Sequence, residues 1–280
     1  MFIDFYNPSD SADAVKMRSE TARSAYLGGG TILNSLEYEK ALPEEAQAQT
    51  LINLAKLSLN RIELTPSELI IGSGVTLQEL LEHPDVFPAV KEAAALVVNR
   101  NIRNIATVGG NVASGLFSPC VNVASMFLAM DAELELETEN GRKIHPLAKY
   151  YGCDPHKAEK CLILSVRIPR RAAEAAYALR RYVRTQNDIS ILLAYALVSG
   201  CAERIEKLSL VMGGCAAHPI RLSEIEERLA GQALPDRDAL AEMIRPLIHP
   251  IDDLRGSCEF KTEVGAQIGA WTVYKALGKL

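Results

Sequence analysis

Two glycine clusters constrain this chain more than any other feature. One is Gly28-Gly29-Gly30-Thr31, and the other is the pair Gly109-Gly110 inside Asn101-Ile-Arg-Asn-Ile-Ala-Thr-Val-Gly-Gly-Asn-Val-Ala-Ser114. Adjacent glycines let a backbone approach another group closely, with N–H groups exposed and no Cβ in the way. Either cluster alone reads as an ordinary tight turn. Together, with hydroxyl and amide donors on Thr31, Thr107 and Asn111, they suit a polyanion such as a pyrophosphate, held mainly by main chain. Ala25-Tyr26-Leu27 reads as a strand entering the first cluster and Asn34 to Glu39 as a short helix leaving it, the layout that brings phosphates to a helix N-terminus. Gly72-Ser73-Gly74 with Thr76 reads as a strand-to-helix turn capped by Ser73 or Thr76. Neither G-x-G-x-x-G nor G-x-x-x-x-G-K-[ST] occurs, so the chain has no Rossmann fingerprint and no P-loop.

Hydrophobic periodicity divides the chain near Pro169 to Ala175. Before that point Phe2 to Tyr6, Leu51 to Leu54 and Leu69 to Gly72 read as strands, the last two in one sheet. Leu77 to Glu82 and Ala89 to Val98 carry helical spacing, and Ser9 or Ser11 caps an earlier helix. This alternation of strand and helix predicts a small, largely parallel sheet. Val123 to Met130 reads as a helix. Glu133 to Thr138 alternates strictly, and Asn140-Gly141 signals a type I′ hairpin into Arg142 to His145. Cys161 to Ile168 is a further strand, stopped by Pro169. Ala176 to Arg184, Ile191 to Ser199 and Leu208 to Met212 then form an antiparallel meander. Helices over Ser223 to Leu229, Arg237 to Ile248 and Lys261 to Leu277 close the chain. Val264, Ile268 and Trp271 share one face of the last, which predicts that it packs on the body.

A formal net charge of -5 argues against nucleic acid or an anionic membrane as the main partner. No apolar run reaches the roughly 18 residues of a membrane helix, and no secretory signal opens the chain, so the expected location is cytoplasmic. The six cysteines form no C-x-x-C pair, which suits neither a zinc ribbon nor an iron–sulfur cluster. Cys153, His156 and Cys161 lie close in sequence, and isolated thiols in a reducing compartment are the favoured reading there. His83, His145, His156, His218 and His249 sit in loop-like, proline-adjacent contexts that suit surface or structural roles. The basic run Arg167, Arg170, Arg171, Arg180, Arg181 and Arg184 reads as a solvated strand face or a cofactor-facing edge. No Ser-His-Asp set, H-E-x-x-H motif or carboxylate cluster appears, so no catalytic residue is assigned. The residues alone describe a protein that binds a phosphorylated cofactor.

Seven segments, in this order, carry a resemblance to a known family: Tyr26-Leu-Gly-Gly-Gly-Thr31, Ile71-Gly-Ser-Gly-Val-Thr-Leu77, Asn101 to Asn111, Ala129-Met-Asp-Ala132, Ile163-Leu-Ser-Val-Arg-Ile-Pro169, Gly213-Gly214 with Pro219-Ile-Arg221, and Asp253-Leu-Arg-Gly-Ser257. Over nearly its whole length the chain resembles the FAD-binding (medium) subunit of the molybdenum hydroxylases, the xanthine dehydrogenase and carbon monoxide dehydrogenase group. The ending at Asp253 to Ser257 looks most like the compact xanthine-dehydrogenase-like members. The resemblance implies an α+β fold. A two-subdomain FAD-binding domain of the vanillyl-alcohol-oxidase-like type occupies residues 1–172. A small α/β C-terminal domain with a three-stranded antiparallel sheet and helices occupies residues 173–280.

It also implies the site. Leu27, Gly28, Gly29, Gly30, Thr31, Ile32, Leu33 and Asn34 form one FAD-binding loop, and Thr107, Val108, Gly109, Gly110 and Asn111 form the other. Asn122 stands where the family usually places an aspartate on the cofactor; an amide still donates and accepts hydrogen bonds. Ile163 falls beside the adenine or flavin, and Arg180 takes a position often held by lysine near the flavin. Val97 replaces an aromatic that stacks on the flavin in some members, while Arg184 and Asp188 match a charged loop close to it. The implied partners are a molybdenum-cofactor subunit, a subunit with two [2Fe–2S] clusters, and NAD or another electron acceptor. The alternatives are a stand-alone flavin oxidase and a scaffold that has lost FAD.

Overall fold

The computed structural model describes residues 4–35, 47–116, 118, 120–152 and 160–279. Cys153 and His156, and the part of the Asn34 to Glu39 segment beyond Ser35, lie outside them. Strand β1 (Asp4–Tyr6) leads to helix α1 (Ser11–Glu20), β2 (Ser24–Leu27) and β3 (Thr50–Asn53). These strands pair in parallel in the order β1-β3-β2. The α1 cap is Asp10, between the two serines expected there; its carboxylate accepts the Asp13 N–H. Residues 31–34 make a turn, closed by Asn34 N donating to the Gly30 carbonyl at 3.2 Å.

Strands β4 (Ile62–Leu64) and β5 (Glu68–Gly72) begin a second sheet, followed by helices α2 (Leu77–Glu82), α3 (Pro88–Ala95), α4 (Arg100–Arg103), α5 (Val108–Ser114) and α6 (Asn122–Ala129). Strands β6 (Glu133–Thr138) and β7 (Gly141–Pro146), helix α7 (Leu147–Tyr151) and β8 (Leu162–Pro169) complete it. The five-stranded sheet runs β4-β5-β8-β6-β7, antiparallel throughout. The expectation that Leu51–Leu54 and Leu69–Gly72 share a sheet is therefore corrected: β5 pairs with β8, Gly72 opposite Ser165. An apolar run specifies a strand but not its partner, which here lies about a hundred residues away in sequence. The β6–β7 hairpin forms with Thr138 opposite Gly141, but the type I′ turn does not. That turn needs positive φ at both central residues; with this register they are Glu139 and Asn140, neither of which has it, and the positive φ of 96° falls on Gly141 just after them.

The C-terminal part holds β9 (Ala176–Tyr182), β10 (Leu192–Cys201), β11 (Arg204–Gly213) and β12 (Ile220–Arg221), then α8 (Ser223–Leu229), α9 (Arg237–Ile244) and α10 (Cys258–Ala276). The meander is present, and the sheet has four strands instead of three, in the order β12-β11-β10-β9. The extra strand is only two residues long, too short to leave a period-2 pattern. Both faces of β10 are buried. Leu193, Tyr195 and Leu197 enter the core beneath the five-stranded sheet, while Leu192, Ala194, Ala196 and Val198 face the core under α8, α9 and α10. That double burial explains the unbroken apolar run from Ile191. The α10 helix does pack on the body, along Gly265, Ile268, Gly269 and Val273; Trp271 lies at the margin of that face. A third, smaller core joins Ala14 and Val15 of α1 to Ile52 of β3 and Leu162 and Leu164 of β8, which fixes the parallel sheet against the larger one.

Candidate cofactor site

The glycine clusters meet, and much of their function is to do so. A Cβ on Gly29 would stand 1.6 Å from the Ile105 carbonyl oxygen, and one on Gly28 would stand 2.7 Å from Thr107 Oγ1. Gly109 lies as tightly on Ser73, where its Cβ would be 2.7 Å from the serine Cβ; its N–H donates to the Ser73 carbonyl at 2.8 Å. Val108 N donates to Val75 O at 2.8 Å and Leu77 N to Ala106 O at 2.9 Å. Residues 105–109 are thus a middle layer between the 28–30 turn and the 73–77 segment. Gly30, at φ +70°, supplies the left-handed residue that turns the first cluster. Thr76 makes a reciprocal capping box with Glu79 and starts α2, as the turn reading expects. Gly110 is the exception among these glycines. A Cβ there would meet only Thr107 Oγ1, at 3.0 Å, so its outer side stays open.

That open side faces a cavity of about 1240 Å³, beyond the roughly 300–1,000 Å³ of most small-ligand sites. Gly28, Gly29, Gly30, Thr31, Ile32, Leu33, Thr107, Gly109, Gly110, Asn111, Asn122 and Ile163 all line it. Four other residues of the expected set do not. Leu27 places its side chain beneath Gly30, and Asn34 closes the turn. Val108 is fully buried in the core. Arg180 stacks over Trp271, its guanidinium carbon 4.4 Å from the ring centroid. The neighbouring Arg181 lines the cavity instead. The signal was strand parity: Tyr177, Leu179 and Arg181 alternate onto one face of β9, and the first two pack against the main core.

The walls carry buried polar atoms without protein partners. Ser73 Oγ, Asn122 Oδ1 and Tyr26 Oη have none, and all three residues line the cavity. Burial pushes the Tyr26 hydroxyl well above the usual tyrosine range. Asn111, by contrast, is used structurally: its Oδ1 accepts the Ala124 N–H at 2.9 Å and ties α5 to α6. The glycine segments bring no cation to the cavity; the cationic side chains on its lining are Arg18, Lys160 and Arg181. The exposed part of the lining mixes aliphatic residues, Val98, Ile102, Ile105 and Ile189, with the amides of Asn99, Asn104 and Asn187. Arg184 pairs with Asp188 at 3.4 Å, and Asp188 reaches the lining. Cys161 also lines the cavity, and no group of His, Cys, Asp and Glu among the described residues is arranged to hold a metal.

The family described as the FAD binding domain in molybdopterin dehydrogenase matches residues 2–171, well over half of the sequence. The chain belongs to this family. The CO dehydrogenase flavoprotein C-terminal domain matches residues 177–270. This flavoprotein is 24% identical over 275 residues to the carbon monoxide dehydrogenase medium chain of Hydrogenophaga pseudoflava, covering 95% of this chain and 93% of that one. It is 28% identical over 279 residues to the putative xanthine dehydrogenase FAD-binding subunit XdhB of Escherichia coli K12, covering 93% and 91%. The fold superimposes on carbon monoxide dehydrogenase from Hydrogenophaga pseudoflava with a TM-score of 0.88 at 23% identity, over 100% of this chain and 98% of that one. The chain is an FAD subunit of the molybdenum hydroxylase family and a component of an oxidoreductase. Relatives of both the xanthine and the carbon monoxide type match. No helix among the described residues is long and apolar enough to cross a membrane.

The site fits FAD on three counts. The open side of Gly110 leaves a cradle that any side chain would fill, the cavity has room for a dinucleotide, and the unpartnered Ser73 and Asn122 atoms await a ligand.

Proposed function

We propose that residues 28–33, Ser73, residues 107 and 109–111, Asn122 and Ile163 hold FAD in this cavity, and that the chain works as the electron-handling subunit of a molybdenum hydroxylase complex. The observation that carries the reading is the Gly110 cradle, open on its ligand side while the other glycines are consumed in packing. The chemistry supplied by bound FAD is to hold electrons delivered by the [2Fe–2S] clusters of a partner subunit until NAD or another acceptor takes them. Carbon-centred oxidation then belongs to the molybdenum-cofactor partner, which explains why no acid–base constellation lines the cavity. This chain's residues bind and orient. The N–H groups of residues 28–31 face the pyrophosphate, those of Gly109 and Gly110 being taken by the Ser73 carbonyl and Thr107 Oγ1, while Asn122 and Ser73 satisfy polar groups of the ligand and the aliphatic residues of the rim cover its apolar parts. Residues 1–172 form the FAD-binding domain in this reading, and residues 173–280 close the cavity from the other side through Arg181 and the 187–190 segment.

The test is a visible spectrum of the purified chain before and after adding FAD. A protein-bound flavin spectrum is expected. A folded chain that retains no flavin at high FAD would instead favour a scaffold, and turnover of an organic substrate by the isolated flavin-loaded chain would favour a self-contained oxidase.

A further inference from the structure

We infer that Arg181 is the positioning residue that sets the mouth of this cavity, tying the wall at Leu96–Val98 to the wall at Gln186–Ser190 through two backbone carbonyls; the inference rests on the FAD reading above. Its Nη1 donates to the Leu96 carbonyl and its Nη2 to the Gln186 carbonyl. The first carbonyl lies in the segment after α3 and the second in the loop between β9 and β10. Both segments line the cavity, through Val97 and Val98 on one side and Asp188 and Ile189 on the other. The base of the side chain is anchored, because Arg181 pairs with Leu193 where the edge strand β9 joins β10.

Arg103 completes the arrangement on one side only. Its Nη1 donates to the Val97 and Val98 carbonyls, each at 2.7 Å, and its Nε donates to Gln78 at 2.9 Å. Three successive carbonyls, of Leu96, Val97 and Val98, are therefore occupied by guanidinium donors. A guanidinium donates and never accepts, so these groups are satisfied without a ligand. The segment then offers aliphatic side chains to the cavity in place of hydrogen-bond acceptors. Val98, Ile102, Ile105 and Ile189, between 39% and 50% exposed, are the aliphatic part of the exposed lining, interleaved with Asn99, Asn104 and Asn187. Arg103 holds one wall in shape, and Arg181 spans the two. The planar fork of arginine reaches carbonyls on separate segments, whereas lysine brings its donors to a single point. Losing Arg181 frees the 186–190 loop to move away from Leu96, opening the mouth and loosening any flavin held between the walls.

The test titrates FAD into apo full-length chain, following flavin fluorescence and the visible circular dichroism of the bound flavin, for wild type, Arg181→Gln and Arg181→Lys. Tight binding by the wild type secures the parent reading independently. Arg181→Gln is expected to raise the FAD Kd by about tenfold or more, the scale of losing charged hydrogen bonds. It should also weaken the induced dichroism, with Arg181→Lys between the two. A folded Arg181→Gln protein with a Kd within about twofold of wild type, at that same scale, and unchanged dichroism overturns the inference while leaving the FAD reading intact. Should Arg181→Gln not fold, Arg181→Lys decides: it keeps the charge but cannot bridge both carbonyls, and an unchanged Kd and dichroism overturn the inference.

Discussion

Gly29 and Ile105 touch backbone to backbone: a Cβ on the glycine would lie 1.6 Å from the isoleucine carbonyl oxygen. No rotamer change relieves such a clash, because both sides are main chain. Gly29→Ala is therefore expected to push the 28–30 turn off the 105–109 layer and to destabilise the protein by about 3 kcal/mol or more. Thermal unfolding of the variant checks this directly.

Gly110 behaves differently, although it belongs to the same kind of cluster. Its Cβ direction meets only Thr107 Oγ1, at 3.0 Å, so a side chain there points into the cavity and not into the fold. Gly110→Val is expected to keep the native circular dichroism and to lose FAD retention. Full flavin occupancy in a folded Gly110→Val protein would show that the pyrophosphate does not lie against this glycine.

Asn122 Oδ1 is buried on the cavity wall without a partner. If the ligand donates to it, Asn122→Ala removes one hydrogen bond of about 1–1.5 kcal/mol, a rise in FAD Kd of about tenfold. Equilibrium titration measures it. An apo-protein stability that falls as much as the affinity would place the effect in the fold instead.

Asp131 joins the end of α6 to the C-terminal sheet, through Lys207 at 2.6 Å and through Arg221. Burial alone would raise its pKa; hydrogen bonds from Lys207 and Arg221 outweigh that and hold the carboxyl below its usual range. A depressed carboxylate contributes stability above its unfolded value, near 3.8, and that contribution disappears as pH falls through the lower folded value. Glu226 moves oppositely, because burial outweighs its pairing with Arg221, so its protonation favours the fold as pH falls. Chemical denaturation across the acid range is expected to show Asp131→Asn less stable than wild type near neutrality. The difference should shrink toward pH 3 and below, past the usual carboxylate range.

Arg180 lies on the only tryptophan of the chain, 4.4 Å from the centroid of Trp271. A cation on an indole face contributes about 0.5–1 kcal/mol at an exposed site. Arg180→Gln is expected to lower stability within that range and to shift Trp271 emission to longer wavelength as water replaces the guanidinium. An unchanged emission maximum would mean that the stack does not persist in solution.

The sequence by itself determined the local parts. The glycine clusters, the Thr76 turn into α2, the β6–β7 hairpin and the β9–β10–β11 meander follow from residue type and short-range periodicity, and seven ordered segments, the glycine motifs among them, carried the resemblance to the family. Tertiary structure decided what those parts do to one another. Nothing local distinguishes Gly29, which is needed because Ile105 passes above it, from Gly110, which is needed for the open space beside it. Nothing in the apolar run of β5 says that its partner is β8 and not β3. The parity of β9 decides that Arg181 meets the cavity while Arg180 meets Trp271. Each of these outcomes depends on residues far apart in sequence becoming neighbours, a relation set by packing and not by the local pattern.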